Sequence, residues 1–324
     1  MRAAVYERYG PPEVVEIRRV PSPRAGAGEV LIRVRASTVS SGDWRARSLE
    51  MPPGFGALGR LVFGITAPRQ PILGTELSGT IEAVGAGVNT FSAGDDVFAF
   101  ADTKMGSHAE LRTIDANGLV ARKPERLTFE QAAALSFGGI TMLKFFRRAS
   151  LSRDERVLIN GASGSVGSAA VQLARYFGAE VTAVCSTANM EVVRSLGAQH
   201  VIDYTRENFA DNGERYDVIV DTVGNAGYAR VQASLTKGGR LIGVLSGFTD
   251  LLLGPLAAKA RGHRVIAGPS SSHPDDVRQI AAIAADGAFT PLIDQTLPFE
   301  RIVEAHRRVD AGHKRGSVVI TMTA

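Results

Sequence analysis

The sequence has very little cysteine and tryptophan and no long hydrophobic run. Its 324 residues include one cysteine, Cys185, and one tryptophan, Trp44. A single cysteine excludes an internal disulfide and fits a reducing compartment, so we expect a cytoplasmic protein. The longest apolar stretch, at 251–258, contains Gly254 and Pro255 and is too short to span a bilayer.

The chain also has little net charge, because basic and acidic residues nearly balance. The chain has 37 Lys and Arg residues against 33 Asp and Glu residues, with a formal net charge of +4 and no long basic run. Nucleic acid and membranes are therefore not expected partners. The first residues lack the apolar core of a signal peptide. The length allows two domains, and an apolar content of 44% is ordinary for a globular chain.

Zinc ligands are also scarce in the first part of the chain. Before His200 there is one other histidine, His108, and one cysteine, Cys185. A catalytic zinc takes His, Cys and carboxylate ligands, whereas a structural zinc commonly takes four Cys. We therefore expect no zinc site in the first domain, and we interpret His108 as a loop residue rather than a ligand.

The most informative segment present is 156–178, where a short apolar run precedes a glycine-rich turn and an amphipathic pattern. The run is Val157–Ile159, and the turn contains Gly161, Gly164 and Gly167. This order predicts a strand, a tight turn and a helix whose N–H groups and dipole can bind a phosphate. We expect glycine at 164 to admit a pyrophosphate and glycine at 167 to bring helix and strand close together. The segment predicts dinucleotide binding.

Strand and helix patterns alternate from this segment onward. The alternation is typical of an α/β domain with a doubly wound parallel sheet. A structural turn in an unrelated α/β domain remains the alternative to a dinucleotide site. The six candidate strands are 157–159, 181–185, 201–202, 218–221, 240–245 and 264–267.

The residues after the second candidate strand bear on the type of cofactor. An NAD site commonly has Asp or Glu there, but this chain has Ser186 and Thr187, and the next acid is Glu191. A carboxylate repels a 2′-phosphate, whereas hydroxyls can donate to it. NADP(H) is therefore favoured over NAD(H), although the nearest basic residue downstream, Arg194, also fits a solvated helix position.

The N-terminal part of the chain predicts a mostly β, partly open barrel, because short alternating segments are separated by Pro and Gly. We assign this catalytic domain to 1–125 together with 268–324, and the Rossmann dinucleotide-binding domain to 126–267. A helix is expected to begin after Thr128 and to end at the glycine pair 138–139, before a second helix at 142–148. A final strand is expected at 317–321.

Several short motifs resemble the medium-chain dehydrogenase/reductase superfamily. Segments 74–79, 82–85 and 94–97 are similar to its N-terminal signature, and 162–167 matches its nucleotide turn. The closing segment 312–320 is similar to the C-terminus of its zinc-less quinone oxidoreductase branch. The resemblance covers nearly the whole chain and implies a Rossmann domain plus a GroES-like domain. In the similar family, subunits pair at a sheet edge, which implies a homodimer here.

The resemblance also bears on the chemistry. Ser40 and Thr75 stand where the zinc-dependent members have Cys and His. Without a Lewis acid to activate an alcohol, hydride transfer suits carbonyls activated by conjugation. We therefore expect a zinc-independent, NADPH-dependent oxidoreductase acting on a quinone or an α,β-unsaturated carbonyl (enone). A metal-free alcohol or aldehyde dehydrogenase, or a low-turnover NADPH-binding redox sensor or structural protein, remains an alternative.

Three residues are candidates for the substrate site that the resemblance implies. Ser40 can donate to a substrate oxygen or satisfy loop backbone groups, and Asp43 fits a helix cap better than catalysis. Trp44 can stack on a flat substrate or pack in the core. Glu76, beside the lost zinc position, is expected to form a structural salt bridge.

The candidate cofactor residues lie in the turn and after the strands of the predicted sheet. The resemblance implies that Thr141 contacts the nicotinamide end and Tyr204 lies near the adenosine phosphate. Ligands bind outside the carboxyl ends of the strands in such sheets. The full set is Thr141, Ala162, Ser163, Gly164, Ser165, Val166, Gly167, Ser186, Thr187, Tyr204, Thr222, Val223 and Leu245.

Overall fold

The structure is a computed structural model that describes residues 1–268 and 271–322. Its chain divides into two compact units. The first contains Met1–Met51, Gly56–Ile140 and the chain from Ser272 onward, and the second contains Pro52–Phe55 and Thr141–Ser271. Four residues of the predicted catalytic segment 268–324, at 269–270 and 323–324, lie outside the described residues.

Strands predominate up to residue 122, and helices become frequent after it. The strands are β1 (Arg2–Val5), β2 (Glu16–Arg19), β3 (Glu29–Val39), β4 (Glu76–Val84), β5 (Asp96–Phe100), β6 (Leu111–Asp115), β7 (Val120–Arg122), β8 (Arg156–Asn160), β9 (Glu180–Cys185), β10 (His200–Asp203), β11 (Tyr216–Asp221), β12 (Leu235–Gly243), β13 (Arg264–Ala267), β14 (Ile293–Pro298) and β15 (Ser317–Thr321). The helices are α1 (Ser41–Ser48), α2 (Gly56–Phe63), α3 (Phe129–Ala133), α4 (Ser136–Ala149), α5 (Ser165–Tyr176), α6 (Met190–Ser195), α7 (Tyr228–Val231), α8 (Phe248–Lys259), α9 (Pro274–Ala285) and α10 (Ile302–Asp310).

The second unit contains the predicted doubly wound sheet. Its six strands are parallel and lie in the order β10-β9-β8-β11-β12-β13. The chain moves outward from β8 through β9 to β10 and then returns to β11 on the other side of β8. The order therefore reverses between β8 and β11, which is the switch point where such folds bind dinucleotides. The α/β fold class is confirmed, and each of the six candidate strands overlaps a strand of this sheet, although β12 begins and ends earlier than the predicted 240–245.

The first unit is built on a mostly antiparallel sheet of seven strands. Six lie in the order β14-β15-β3-β4-β5-β7, and β6 pairs with β3. The predicted final strand is confirmed as β15, which pairs with β3 in a register that sets Val318 opposite Val39. Inward residues of these strands, such as Ile32, Leu77 and Val97, are buried in one core. The mostly β, barrel-like domain is also confirmed.

The glycine pair at 138–139 does not end a helix, contrary to the sequence-based expectation. Instead α3 ends at Ala133, and α4 begins at Ser136 and continues through both glycines. A Cβ atom at Gly139 would lie 2.8 Å from the Ile280 side chain and 3.1 Å from Phe289. The glycine therefore serves close packing within the first unit rather than helix termination.

The division between the units also differs from the expected boundary at residue 126. Residues 126–140 lie in the first unit. The physical reason is packing, because α3 lies against β3 and β4. A bond from Ser78 to the Phe129 carbonyl, 2.5 Å long, fixes the start of α3 to the same sheet.

The apolar run at 251–258 forms most of α8. Gly254 and Ala258 face inward and are buried, whereas Leu252, Leu253 and Leu256 are more than half exposed. Across residues 1–268 and 271–322, no helix combines the length and hydropathy that crossing a membrane requires.

Candidate active site

The glycine-rich turn joins β8 to α5 in the second unit. Gly161 has a φ of +82°, and its N–H and that of Ala162 donate to the Val184 carbonyl on β9, at 3.2 and 3.0 Å. These bonds hold the turn against the neighbouring strand. Gly164 precedes α5, and its missing side chain leaves the helix without a side-chain cap. The first N–H groups of α5 can therefore serve a bound anion.

The glycines at 164 and 167 have different surroundings. A Cβ at Gly164 would meet only the Gly161 carbonyl oxygen, at an ordinary contact distance of 3.6 Å. A Cβ at Gly167 would lie 2.0 Å from the same oxygen and 2.8 Å from the Ala162 Cα. Gly167 is thus required for the close approach of helix to strand, while the space in front of Gly164 is open. The turn fits the pyrophosphate of a dinucleotide.

A residue that the sequence analysis missed, Asn189, connects two of the predicted cofactor loops. Its side-chain amide donates to the Ser163 hydroxyl at 3.2 Å and to the Ser186 hydroxyl at 3.1 Å. The loops after β8 and β9 are therefore held together by one side chain. Asn189 carries no recognisable motif, and the only available signal was its place shortly after the second strand.

An acidic residue, Asp203, stands beside Thr187. Its carboxylate accepts hydrogen bonds from the Thr187 hydroxyl and, at 2.7 Å, from the Thr205 hydroxyl. These bonds, with that from Thr187 first, hold the pKa of Asp203 below its usual range. Arg206 lies 3.6 Å away, and the neighbouring Tyr204 is 58% exposed. An acid therefore lies near the end of β9, where the sequence pattern placed only hydroxyls. It accepts a hydrogen bond from the Thr187 hydroxyl, whose proton was expected to be available to a 2′-phosphate.

The arrangement of Asp203 follows from the sheet. It ends β10, and β10 is the parallel neighbour of β9, so both strands finish at the same edge. Along the chain, the residues directly after the second strand include no acid, because Asp203 follows the third strand. The pattern of alternating strands and helices was the available signal, because in a parallel sheet it predicts that the end of the third strand lies beside the end of the second.

Asp221 organises the loop after β11. Its carboxylate accepts from the backbone N–H groups of Val223 and Ala226, at 3.0 and 2.8 Å, and from the Asn160 side chain at 2.9 Å. The Thr222 hydroxyl donates to the Asn160 carbonyl at 2.8 Å. The ends of β8 and β11, which flank the switch point, are therefore cross-linked by polar side chains.

The remaining predicted cofactor residues fall in different places. Leu245 is partly buried shortly after β12, and Ser165 and Val166 begin α5. Thr141 is partly buried in α4 and is the one predicted residue that does not follow a strand of this sheet. The other predicted residues share the carboxyl edge of the sheet.

Ser40 and Asp43 form a capping box at the start of α1 in the first unit. The Ser40 hydroxyl donates to Asp43 Oδ2 at 2.6 Å and accepts from the N–H groups of Gly42 and Asp43, at 3.1 and 3.2 Å. Asp43 Oδ1 accepts from the Gly74 N–H at 2.8 Å. Because the single hydroxyl proton of Ser40 points at Asp43, this geometry favours the capping role for both residues.

Trp44 and Thr75 complete this region. Trp44 is half-buried against the first unit's core, and the Arg45 guanidinium lies 5.0 Å from the centre of its ring. The Thr75 hydroxyl is 3.4 Å from that of Ser40. Two hydroxyls are therefore neighbours at the positions where the family resemblance implies Cys and His in zinc-dependent members.

Glu76 does not form the salt bridge expected from the sequence. Within the described part of the chain its carboxylate has three hydrogen-bond donors and no basic partner within 4.0 Å. Oε1 accepts from the Thr38 hydroxyl at 2.6 Å, and Oε2 accepts from the N–H groups of Ser136 and Phe137, at 3.0 and 2.7 Å. Burial raises the pKa of Glu76 to about 7, and these hydrogen bonds oppose the rise.

His108 lies in the loop before β6, as expected, but it is fully buried. Its Nε2 atom bonds the Thr38 carbonyl at 2.9 Å, so this nitrogen carries the proton. His306 of α10 lies edge-on to it, with ring centres 5.8 Å apart. Burial holds the pKa of His306 well below its usual value. Residues 1–268 and 271–322 contain no group of three or more His, Cys, Asp or Glu side chains placed to hold a metal ion.

Comparison with known proteins agrees with the fold. A family model described as "Zinc-binding dehydrogenase" matches residues 196–320, and one described as "Alcohol dehydrogenase GroES-like domain" matches residues 26–125. Together with the switch-point site, these matches define an oxidoreductase that uses a nicotinamide cofactor.

Individual relatives narrow the class. The chain is 30% identical to the human quinone oxidoreductase, over 96% of this chain and 94% of that protein. It is also 30% identical to the 2-methylene-furan-3-one reductase of Solanum lycopersicum, over 99% of this chain and 79% of that protein. The structure of the quinone oxidoreductase from Coxiella burnetii superimposes with a TM-score of 0.87 at 25% identity, over 100% of this chain and 99% of that one. The chain belongs to the medium-chain dehydrogenase/reductase superfamily, in its quinone oxidoreductase branch.

Proposed function

We propose that this protein reduces a quinone or an α,β-unsaturated carbonyl compound with NADPH and without zinc. The observation that carries the proposal is the pair of neighbouring hydroxyls, Ser40 and Thr75, where the zinc-dependent relatives have metal ligands. Neither hydroxyl is a zinc ligand of the kind that proteins use. A site without a Lewis acid suits acceptors that conjugation has already activated. The proposal includes a cytoplasmic homodimer, as the family resemblance implies.

The chain's own residues have assigned roles in this proposal. When bound, the nicotinamide supplies the hydride. The first N–H groups of α5 bind the phosphates, and the open space at Gly164 admits them. Ser186 and Thr187 are proposed to face the adenosine ribose, with Tyr204 exposed nearby. Thr222, Val223 and Leu245 line the same sheet edge, and Thr141 is proposed to contact the nicotinamide end.

The names of relatives support the choice of acceptor. One is a quinone oxidoreductase, another is a 2-methylene-furan-3-one reductase, and a third, 28% identical, is named an NADPH-dependent alkenal/one oxidoreductase. Quinones, alkenones and methylene-furanones share a carbonyl conjugated to a carbon–carbon double bond. The proposed substrate class is defined by that shared group.

The experiment is a steady-state assay of NADPH oxidation with matched acceptors. We expect turnover with 1,4-quinones or enones and none with the saturated ketones of the same carbon skeleton. Activity should survive dialysis against a strong chelator. Oxidation of alcohols, or a loss of activity that zinc restores, would contradict the proposal. Tight NADPH binding without turnover on any electrophile would instead support the redox-sensor alternative.

A further inference from the structure

The start of α4 is stabilised by a residue from a distant strand. The residue before the helix is Leu135, whose side chain cannot accept a hydrogen bond, although its carbonyl accepts from the Gly139 N–H at 3.2 Å. The first two N–H groups of the helix, those of Ser136 and Phe137, donate to the Glu76 carboxylate at the beginning of β4. Glu76 thus supplies the cap that the local sequence lacks.

This cap is an unusual choice for a merely structural role. Glycines at 138–139 weaken the first turn of the helix, so its position depends on the remote cap more than usual. A neutral Ser or Thr at position 135 would cap the helix without burying a charge. Glu76 is 1% exposed, and burying its carboxylate in ionised form costs stability. The Ser136 hydroxyl beside it is also buried and has no hydrogen-bond partner in the described part of the chain.

We propose that Glu76 is a positioning residue whose ionised carboxylate holds the first turn of α4, and with it Thr141, in place for the cofactor. Thr141 lies one helical turn after Phe137 in the same helix. The proposal rests on the proposed function, because that function assigns Thr141 to the nicotinamide end. Glu76 acts through the helix and does not itself touch the cofactor.

Other charged groups face Glu76 from the elements around it. Asp43 of α1 opposes the ionisation of Glu76. Lys314, which precedes β15, interacts favourably with the carboxylate, and burial lowers the pKa of this lysine to about 8. His108 hydrogen-bonds to the backbone carbonyl of Thr38 and not to the Glu76 carboxylate. Asp43 therefore disfavours the ionised form of Glu76, whereas Lys314 favours it.

Protonation has opposite effects on the whole protein and on the start of the helix. The pKa of Glu76 in the folded state, about 7, lies above its ordinary value of 4.5, so its stabilising contribution is lost as pH rises through 7. At the start of α4 protonation is instead destabilising, because a neutral carboxyl accepts weaker hydrogen bonds from the Ser136 and Phe137 N–H groups than an ionised one does. A residue that only stabilised the fold would not show opposite pH effects on global stability and on the start of α4.

The test compares wild type with Glu76→Gln. Its amide oxygen can accept from the Ser136 and Phe137 N–H groups, while its amide NH2 donates to the Thr38 hydroxyl, so the three contacts remain without a charge. Hydrogen exchange of the Ser136 and Phe137 amides, corrected for intrinsic rates, is measured from pH 6 to pH 8 without cofactor. We expect wild-type protection to fall about tenfold toward pH 6 and the Gln variant to show no such change. NADPH affinity by calorimetry should follow the same pattern, while the Tm advantage of the Gln variant grows toward pH 8.

The matched control is Glu82→Gln, an exposed position on the same strand that pairs with Arg33 at 2.6 Å. This variant should leave amide protection, NADPH affinity and Tm with the same pH dependence as in wild type. Equal protection profiles for wild type and Glu76→Gln would overturn the inference. So would an exchange change that NADPH affinity does not follow. Absence of NADPH binding at every pH in both proteins would refute the proposed function, while the exchange data would still decide whether Glu76 holds the helix.

Discussion

Two glycines of the same turn should separate cofactor binding from folding. Gly164→Val places a side chain in open space, at a φ of −79° and ψ of 174° that any residue adopts, with 3.6 Å to the nearest atom. The fold should tolerate it, with a Tm change within about 2 °C. The side chain would occupy the space assigned to the pyrophosphate. If the pyrophosphate loses two charge-assisted hydrogen bonds from the first N–H groups of α5, binding weakens by about 3 kcal/mol, or roughly 100-fold in NADPH affinity.

Gly167→Ala should have the opposite effect. Its Cβ would lie 2.0 Å from the Gly161 carbonyl oxygen, and the obstructing atoms are backbone. The helix α5 must move away from β8 by roughly 1.5 Å to reach an ordinary contact. Overpacking of this kind costs about 3 kcal/mol, which corresponds to a Tm lower by about 6–12 °C.

The assays are thermal unfolding followed by circular dichroism and NADPH titration by calorimetry. Each variant is compared with wild type under the same conditions. Wild-type affinity in a folded Gly164→Val protein would show that the dinucleotide does not bind at this turn. A Gly167→Ala protein as stable as wild type would refute the steric argument for the helix–strand approach.

Two further predictions concern buried charge and cofactor choice. The buried Arg47 side chain donates to both carboxylate oxygens of Asp310, at 2.6 and 2.5 Å. Asp310→Ala should therefore lower the free energy of unfolding, measured by chemical denaturation, by about 3 kcal/mol. A loss below about 0.5 kcal/mol would contradict this reasoning. Asp203→Asn removes the negative charge beside Thr187 and should increase the ratio of NADPH to NADH affinity, by about tenfold at low salt; an unchanged ratio would mean that Asp203 is remote from the 2′-phosphate.

Much of the second unit could be predicted because its signals are local. Each strand of the parallel sheet is a short apolar run, and each is followed by a glycine or a polar turn within a few residues. The turn at Gly161 to Gly167 combines conformational freedom with close packing, and both requirements act within one strand–turn–helix unit. The observed order of strands is consistent with right-handed connections between such units.

The same local reasoning failed where glycine had a nonlocal purpose. Gly139 looked like a helix end, yet it lies in mid-helix because Ile280 and Phe289, far along the chain, pack against it. Asn189 and Asp203 were missed for a related reason. Their partners Ser163 and Thr187 are brought to them by strand pairing and not by sequence neighbourhood.

The sequence by itself determined the family, the dinucleotide turn and the absence of Cys and His at Ser40 and Thr75, because these depend on residue identity and short spacing. Only the tertiary structure decided that Ser40 caps α1 through Asp43 and that Glu76 caps α4 instead of forming an ion pair. The physical reason is that a buried polar group must find its partner within about 3 Å. Which group lies there depends on how distant strands and helices pack together.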